Sequence, residues 1–174
     1  MILRLIGHNY KYAVEQIMLA LFPAEKPVYS PDLISRPDDY ITESCLFFKS
    51  SYAQAVTRIS CGDKISRGVA RVRLDRLTDK LTTDRLLQRI IKQSFYRASS
   101  SFIEAPPVWG SLTGIRPARL ASAMIESGLS GKAAARKLTT DFYVSPERAS
   151  MTVGAAASAL AIKNRLKPVT SRFM

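Results

Sequence analysis

The chain has 174 residues, an apolar content of 47% and a net charge of +12, with 26 lysines and arginines against 14 acidic residues. This length suits one large domain or two small ones, and the apolar content is sufficient for a hydrophobic core. The positive charge predicts an anionic partner. The two cysteines match neither a disulfide framework nor a metal-ligand spacing, and no apolar run suits a signal peptide or a membrane span. We therefore expect a cytoplasmic protein with no membrane partner.

Residues 1–105 are predicted to form an α+β domain, in which two helices cover a small antiparallel sheet. A strand at Ile2–Ile6 precedes a helix, whose apolar residues recur at helical spacing: Val14, Ile17, Met18 and Leu21. A proline-rich connection follows, with a brief edge strand near Val28. Three strands are then predicted at Ile41–Lys49, Ala53–Cys61 and Ile65–Leu74. Thr83 or Asp84 is the expected cap of a second helix, which runs through Phe102.

The last two strands form a hairpin in this interpretation, because Gly62 and Asp63 suit a two-residue turn that fixes the register. In that register Arg58 lies directly opposite Arg67, with Glu43 beside Arg58. One face of the sheet then carries four arginines, at Arg58, Arg67, Arg71 and Arg73. The other face is small and mostly apolar, so it can accept the second helix.

The arginine-rich face has two interpretations. Its charges either keep a solvated sheet soluble, or they form part of a basic RNA-binding module. Tyr52 would stack a base in the second case, as would Phe47 if the register of the first strand holds. Sheets that bind RNA usually carry several aromatic residues, so this shortage disfavours nucleic acid without excluding it.

Residues 106–174 are predicted to be a helical subdomain, which begins after Pro106 and Pro107. Its helices are expected at Pro117–Ser127, Gly131–Leu138 and Pro146–Leu166. The last helix is rich in alanine, glycine and serine, and it can therefore pack closely against a neighbour.

The loop that enters the first of these helices has the composition of an anion-binding site. Glycine lets a backbone approach a ligand, a helix start attracts anions, and guanidinium groups bind carboxylates in a two-pronged geometry. The candidate residues are Trp109, Thr113, Gly114, Arg116, Pro117 and Arg119. An alternative is structural. The two arginines can pair with an acidic residue (Glu104, Glu126 or Asp141), and Trp109 can be a hydrophobic plug where the two subdomains meet.

Other catalytic chemistry is scarce in the sequence. His8 is the only histidine, which excludes a multi-histidine metal site within the chain, and its position suggests a hydrogen bond at a turn or helix start. No nucleophile–histidine–acid set and no phosphate-binding glycine motif is evident. We assign no catalytic and no metal-binding residue to this chain.

Three segments resemble one family. They are "MILRLIGHNYKYAVEQIMLALFP", "PVWGSLTGIRPARL" and "DFYVSPERA". Together they are similar to the N-terminal region of the HemZ-type oxygen-independent coproporphyrinogen III oxidases, also called coproporphyrinogen dehydrogenases. The central segment matches a "WGxLTGxRPxKL"-like pattern at Trp109, Gly110, Leu112, Thr113, Gly114, Arg116, Pro117 and Leu120. Arg119 stands where lysine is more usual, which preserves the charge.

The resemblance implies a role in haem biosynthesis, because these oxidoreductases decarboxylate two propionates of coproporphyrinogen III oxidatively. Their radical SAM domain holds a [4Fe–4S] cluster on a CxxxCxxC triplet and cleaves S-adenosylmethionine. This chain contains no such triplet, since Cys45 and Cys61 lie far apart. The resemblance therefore predicts a non-catalytic part, whose partner is an absent radical SAM domain in cis. The anion-binding loop would dock that domain or contact the carboxylates of coproporphyrinogen III, and an inactive remnant is a third possibility.

Overall fold

A computed structural model of the chain describes residues 1–29, 36–113 and 116–165. The chain divides into two compact units, Met1–Pro107 and Val108–Met174. The first unit contains β1 (Ile2–Ile6), α1 (Lys11–Leu21), β2 (Ile41–Phe48), β3 (Tyr52–Cys61), β4 (Lys64–Arg73) and α2 (Lys80–Ser99). The second contains α3 (Pro117–Glu126), α4 (Gly131–Phe142) and α5 (Pro146–Arg165). The mixed α and β composition with a helical C-terminal part confirms the predicted fold class.

The four strands form one sheet in the order β1-β2-β3-β4. Strands β2, β3 and β4 form the predicted antiparallel meander, but β1 pairs with β2 in parallel. The sheet is therefore mixed rather than wholly antiparallel. The reason is that α1 carries the chain back along the sheet between β1 and β2, as crossover connections between parallel strands do. The edge strand expected near Val28 is reduced to a single bridge with Ile2.

The hairpin register is confirmed. Arg58 pairs with Arg67 and Cys61 with Lys64, while Glu43 lies across from Arg58 on the other side. β4 is an edge strand, and the Arg97 guanidinium of α2 reaches it and donates to the Val69 carbonyl oxygen. A carbonyl on the outer edge of the sheet thus has a side-chain partner.

Helix α2 packs against the small, apolar face of β3 and β4, as predicted. The contact is close at Gly68, where a Cβ atom would lie 2.0 Å from the Ser94 carbonyl oxygen and 2.5 Å from the Ala98 nitrogen. Beside it, the buried hydroxyls of Thr57 and Ser94 are 2.8 Å apart and share a hydrogen bond. Glycine at this position lets the helix backbone rest directly on the strand.

Helix α2 begins earlier than predicted. Its cap is Asp79, whose carboxylate accepts a hydrogen bond from the Thr82 backbone N–H at 3.0 Å, so Thr83 and Asp84 lie inside the helix. The Asp79 carboxylate satisfies one of the first free N–H groups of the helix. The helix therefore begins after Asp79 rather than after the predicted cap at Thr83 or Asp84. The helix ends at Ser99, and Phe102 follows it as a partly buried residue.

The core of the second unit comes from three helices and the loops that precede and join them, and it combines four alanines with larger residues: Leu112, Ala121, Met124, Ala134, Leu138, Phe142, Val144, Ala149, Val153 and Ala156. Ser130 caps α4 by accepting from the Ala133 N–H at 3.2 Å. Helix α4 extends to Phe142, beyond the predicted Leu138, and Tyr143 then reverses the chain in a left-handed conformation with φ of 60°. Helix α5 is described through Arg165, so its predicted end at Leu166 lies outside the described residues.

None of the helices in the described part of the chain combines the length and apolar character needed to cross a bilayer.

Candidate functional site

The loop that precedes α3 is fixed by backbone contacts to the turn between α4 and α5. The Ser111 N–H and hydroxyl both donate to the Phe142 carbonyl oxygen, at 2.8 and 3.1 Å. The Ser145 N–H donates to the Val108 carbonyl oxygen at 2.9 Å. We call this arrangement, Val108–Leu112 against Phe142–Ser145, the loop clamp.

Gly110 makes the loop clamp possible. It has a positive φ of 55°, and a Cβ atom there would lie 2.2 Å from the Phe142 carbonyl oxygen. A side chain at this position would therefore be strained and would also displace the turn. Ser111 beside it is buried, so its hydrogen bonds to Phe142 are shielded from water.

The loop clamp joins two of the three segments that carry the family resemblance. Val108–Leu112 belongs to the "PVWGSLTGIRPARL" segment, and Phe142–Ser145 belongs to "DFYVSPERA". The Arg148 guanidinium of the second segment also lies 6.0 Å from the ring centroid of Trp109, at the outer limit of a cation–π contact. The residues that were recognised as a pattern are therefore neighbours in space.

The predicted site residues occupy different environments. Trp109 has 37% of its surface exposed, whereas Thr113 is half-buried. Gly114 lies outside the described residues. Pro117 occupies the first position of α3, as predicted, and Arg116 precedes it with an extended backbone.

Arg116 and Arg119 extend from the start of α3, and both side chains are exposed. The first turn of α3 contains no acidic residue. Two of the acidic partners considered above have other partners: Glu126 pairs with Lys163 at 3.1 Å and Asp141 with Lys137 at 2.8 Å. Within the described residues, neither arginine forms an ion pair. The start of α3 is therefore a concentration of positive charge.

Helix α5 exposes an uncharged stripe, apolar at three of its four positions, on the side that faces away from its own unit. Met151, Ala155, Ser158 and Ile162 recur at helical spacing, and Met151 and Ile162 are each 58% exposed. The opposite side of the helix holds the buried Ala149, Val153 and Ala156. We call the four exposed residues the outer stripe of α5. The alanine-rich sequence predicts close packing of this helix. In the structure, only the side that carries Ala149, Val153 and Ala156 is buried.

The four arginines predicted on the sheet all lie on the side opposite α2, and all are exposed: Arg58, Arg67, Arg71 and Arg73. The structure thus brings these four arginines together on one face. They are far along the chain from Arg116 and Arg119 at the start of α3. The two groups belong to different units, and each is a surface in its own right.

His8 acts as a hydrogen-bonding residue at a turn. Its Nδ1 accepts from the Tyr10 backbone N–H at 3.2 Å, so its Nε2 carries the proton and donates to the Ser44 carbonyl oxygen at 3.1 Å. Partial burial lowers the pKa of His8 below its ordinary value. These contacts explain His8 as a structural link between the start of α1 and β2.

The residues of this chain do not fit an iron–sulfur cluster. Such clusters need at least three thiolates on one site in the radical SAM pattern, and the chain has only Cys45 and Cys61. Both are free, half-buried thiols on separate strands, and the described residues contain no group of three or more metal-ligating side chains. No chemistry of a cluster is therefore assigned to these residues.

One buried charge was not predicted. Lys92 on α2 is buried, and its ammonium donates to the Gln16 side-chain oxygen at 2.8 Å. Burial lowers the pKa of Lys92 to about 8. Nothing in the sequence marks this lysine, because the buried side of α2 includes polar residues, among them Gln93 and Ser94, beside the apolar ones.

Comparisons with known proteins identify no family. No family model matches the chain, and no curated protein matches it. Among solved structures, the crystal structure of protein VC0702 from Vibrio cholerae is aligned over 95% of this chain and 97% of its own, with 13% sequence identity and a TM-score of 0.29. A TM-score this low supports no conclusion about fold or function. The resemblance to the coproporphyrinogen oxidases stays a prediction from the sequence.

Proposed function

We propose that this chain is the non-catalytic N-terminal part of an oxygen-independent coproporphyrinogen III oxidase of haem biosynthesis, where it docks and supports a radical SAM catalytic domain. The observation that carries the proposal is the loop clamp. Two segments that resemble that family contact each other through Ser111 and Phe142, as parts of one shared element should.

A docking role is favoured over a catalytic one because the loop clamp fixes geometry. Gly110 holds the loop backbone on the α4–α5 turn, and the same loop leads directly into α3. Rigid loops that present charged side chains at a domain boundary are suited to orient a neighbour.

The surfaces near this element suit a protein partner. The outer stripe of α5 offers exposed apolar area, and apolar patches on a soluble protein commonly mark interaction sites. Arg116 and Arg119 offer positive charge, which would bind carboxylates of the docked domain. The alternative version of the proposal directs these two arginines at the carboxylates of coproporphyrinogen III.

The proposal includes a cytoplasmic location. It is supported by the two cysteines, which are free in the structure and belong to a chain without a disulfide framework.

An association experiment tests the docking version. The full chain is mixed with a CxxxCxxC-bearing radical SAM domain of the same family, and complex formation is measured by sedimentation. Replacing Met151 and Ile162 by aspartate should weaken the complex about tenfold or more, because the charges would be buried in an apolar contact. Arg116→Ala with Arg119→Ala should weaken it by a smaller factor. Lys132→Ala with Arg136→Ala, which removes two exposed charges from α4, is the matched control.

Measurements of turnover distinguish docking of the catalytic domain from binding of the substrate carboxylates. Coproporphyrinogen oxidation by the assembled protein should fall with the Arg116 and Arg119 substitutions in either case. If association is unchanged while binding of coproporphyrinogen III by the chain is lost, the arginines contact substrate. Wild-type turnover together with unchanged association would refute both versions.

A further inference from the structure

The face of the sheet opposite α2 carries a strong positive charge. Five arginines and one glutamate lie on it: Arg4, Glu43, Arg58, Arg67, Arg71 and Arg73. Arg4 Nη1 and Glu43 Oε1 are 3.4 Å apart and form an ion pair, and Arg73 pairs with Asp75 just beyond β4. Within the described residues, Arg58, Arg67 and Arg71 have no carboxylate partner. Along β4, the span from Arg67 to Arg73 makes a positive track about 20 Å long.

Two of these arginines oppose each other without compensation. Arg58 and Arg67 are direct cross-strand partners, and like charges in this relation are destabilising. Glu43, the carboxylate nearest to Arg58 in the ladder, is paired with Arg4 instead. Neither Arg58 nor Arg67 forms an ion pair within the part of the chain that the structure describes. An anionic ligand would remove this repulsion, whereas water only screens it.

Aromatic rings and planar polar side chains lie at the end of the same face that contains Tyr52. The Arg71 guanidinium lies 4.9 Å from the ring centroid of Tyr52, and its Nε donates to the Gln54 side-chain oxygen at 2.7 Å. Phe47 lies across from Gln54, and 42% of its surface is exposed. An aromatic ring, a guanidinium held beside a second ring and a side-chain amide are the groups that hold unpaired bases.

A shallow depression adjoins this end. It has a volume of about 530 Å³ and is lined by Ser50, Ser51, Tyr52, Arg73, Leu74 and Asp75. Arg73 and Asp75 pair at 2.7 Å, so hydrogen-bond donors and acceptors lie next to the Tyr52 ring. The depression is large enough for part of a nucleotide and is continuous with the arginine track through Arg73.

We propose that the arginine face of the sheet binds single-stranded nucleic acid, with Arg58, Arg67 and Arg73 on phosphates and with bases stacked on Phe47 and on the Tyr52–Arg71 pair. A single strand is favoured over a duplex because the face is a sheet surface and stacking requires unpaired bases. An acidic protein segment would pair with the arginines, but it would not account for the exposed Phe47 ring and the Gln54 amide beside them. All of these residues lie in Met1–Pro107, so the inference stands without the docking role of the second unit.

Fluorescence anisotropy with the full chain tests the inference. The probe is a labelled oligouridylate of about 16 nucleotides, titrated between about 50 and 200 mM salt. Binding should weaken steeply with salt, because arginine contacts release counterions from the phosphates. Arg58→Gln with Arg67→Gln should lower the affinity about tenfold or more and flatten the salt slope by about 1.4, the value for two lost phosphate contacts on a single strand.

Substitutions of the rings should act differently. Tyr52→Leu and Phe47→Leu keep an apolar side chain but remove the stacking surface, so each should lower the affinity about 5-fold or more with the salt slope unchanged. Lys132→Gln with Arg136→Gln on α4 removes the same charge elsewhere and should change the affinity by less than about twofold. Thermal unfolding of each variant confirms that the fold is retained.

Three results would overturn the inference. The first is no binding of the oligouridylate at the lowest salt. The second is a loss for the α4 control as large as the loss for Arg58 and Arg67. The third is competition by polyglutamate or by a duplex as effective as competition by the unlabelled single strand, which would show that any polyanion suffices.

Discussion

The cores of the two units of this chain differ in the size of their buried side chains. Met1–Pro107 buries large side chains such as Ile17, Ile59 and Phe95 between a sheet and two helices. Val108–Met174 packs three helices on four buried alanines and on larger residues that include Met124, Leu138 and Phe142. Because hydrophobic stabilisation scales with the apolar area removed from water, the first unit should be the more stable of the two.

The difference extends to the exposed surfaces. The first unit exposes a group of arginines on its sheet, beside apolar side chains such as Phe47 and Ile65, whereas the outer stripe of α5 in the second unit carries no charge. A charged surface lowers its free energy by binding anions, and an apolar one does so by being covered. The comparison indicates that the second unit depends more on its loop clamp.

The largest expected effect concerns the contact between β4 and α2. Gly68→Ala should destabilise the first unit by more than about 4 kcal/mol, because the new Cβ would meet the Ser94 carbonyl, a backbone atom that cannot move alone. Hydrogen exchange resolved by peptide would locate the loss. The neighbouring Arg67→Thr, which points to the opposite face, should change stability by less than about 0.5 kcal/mol. Equal losses for the two variants would contradict the close packing at Gly68.

The loop clamp is the corresponding weak point of the second unit. Gly110→Ala should cost about 2–4 kcal/mol, since it combines a positive φ with a clash against the Phe142 carbonyl. Gly128→Ala is the matched control: its φ of 94° is also positive, but no atom lies within 4 Å of the added Cβ. The control should cost only about 1–2 kcal/mol of backbone strain. Urea unfolding measures the difference, and no difference would mean that the clamp contributes nothing.

The buried lysine gives the first unit a pH dependence of its own. The folded pKa of Lys92, about 8, lies below its unfolded value of 10.5, so the unfolded chain binds more protons between these values. Stability should therefore rise with pH, by on the order of 2 kcal/mol between about pH 8 and pH 10. Above this window the trend should reverse, because burial and the bond to Asp84 raise the pKa of Tyr10 to about 12.

Lys92→Met is the variant that checks this assignment. Denaturant unfolding of the variant should lose the rise between about pH 8 and pH 10, and exchange in the second unit should be unaffected. A rise of the same size in both proteins would assign the pH dependence to another group.

The smallest expected effect is a stabilisation. Gly154 lies inside α5 with no atom within 4 Å of an added Cβ, so Gly154→Ala should stabilise the second unit by about 0.5–1 kcal/mol through helix propensity. Gly131→Ala should gain less, because its Cβ would lie 3.3 Å from a Val153 methyl group. Thermal unfolding compares the two variants. A larger gain at Gly131 would contradict the packing of α4 on α5.

The features that were predicted correctly from the sequence are those that depend on residues close together along the chain. The turn at Gly62 and Asp63 fixed the pairing of Arg58 with Arg67, because a two-residue turn leaves only one register. The apolar spacing in α1 likewise marked its buried side correctly. Such features involve residues that are neighbours along the chain.

The remaining features could not be read from local patterns. The parallel pairing of β1 depends on the path of the crossover, and the start of α2 depended on a competition between Asp79 and Asp84. The loop clamp joins the Ser111 N–H and hydroxyl to the Phe142 carbonyl oxygen, a backbone acceptor that leaves no mark in side-chain patterning. The burial of Lys92 was missed for a similar reason, since only the folded arrangement brings Gln16 to its ammonium.

The contact of Arg97 with the Val69 carbonyl oxygen bears on how this protein behaves at high concentration. An outermost strand with unsatisfied carbonyls is a template on which another molecule can add a strand, and repeated addition produces fibrils. Arg97 occupies one of those acceptors, and the arginine side chains of β4 add repulsion between like edges. An edge protected in this way is a poor template for a strand from a second molecule.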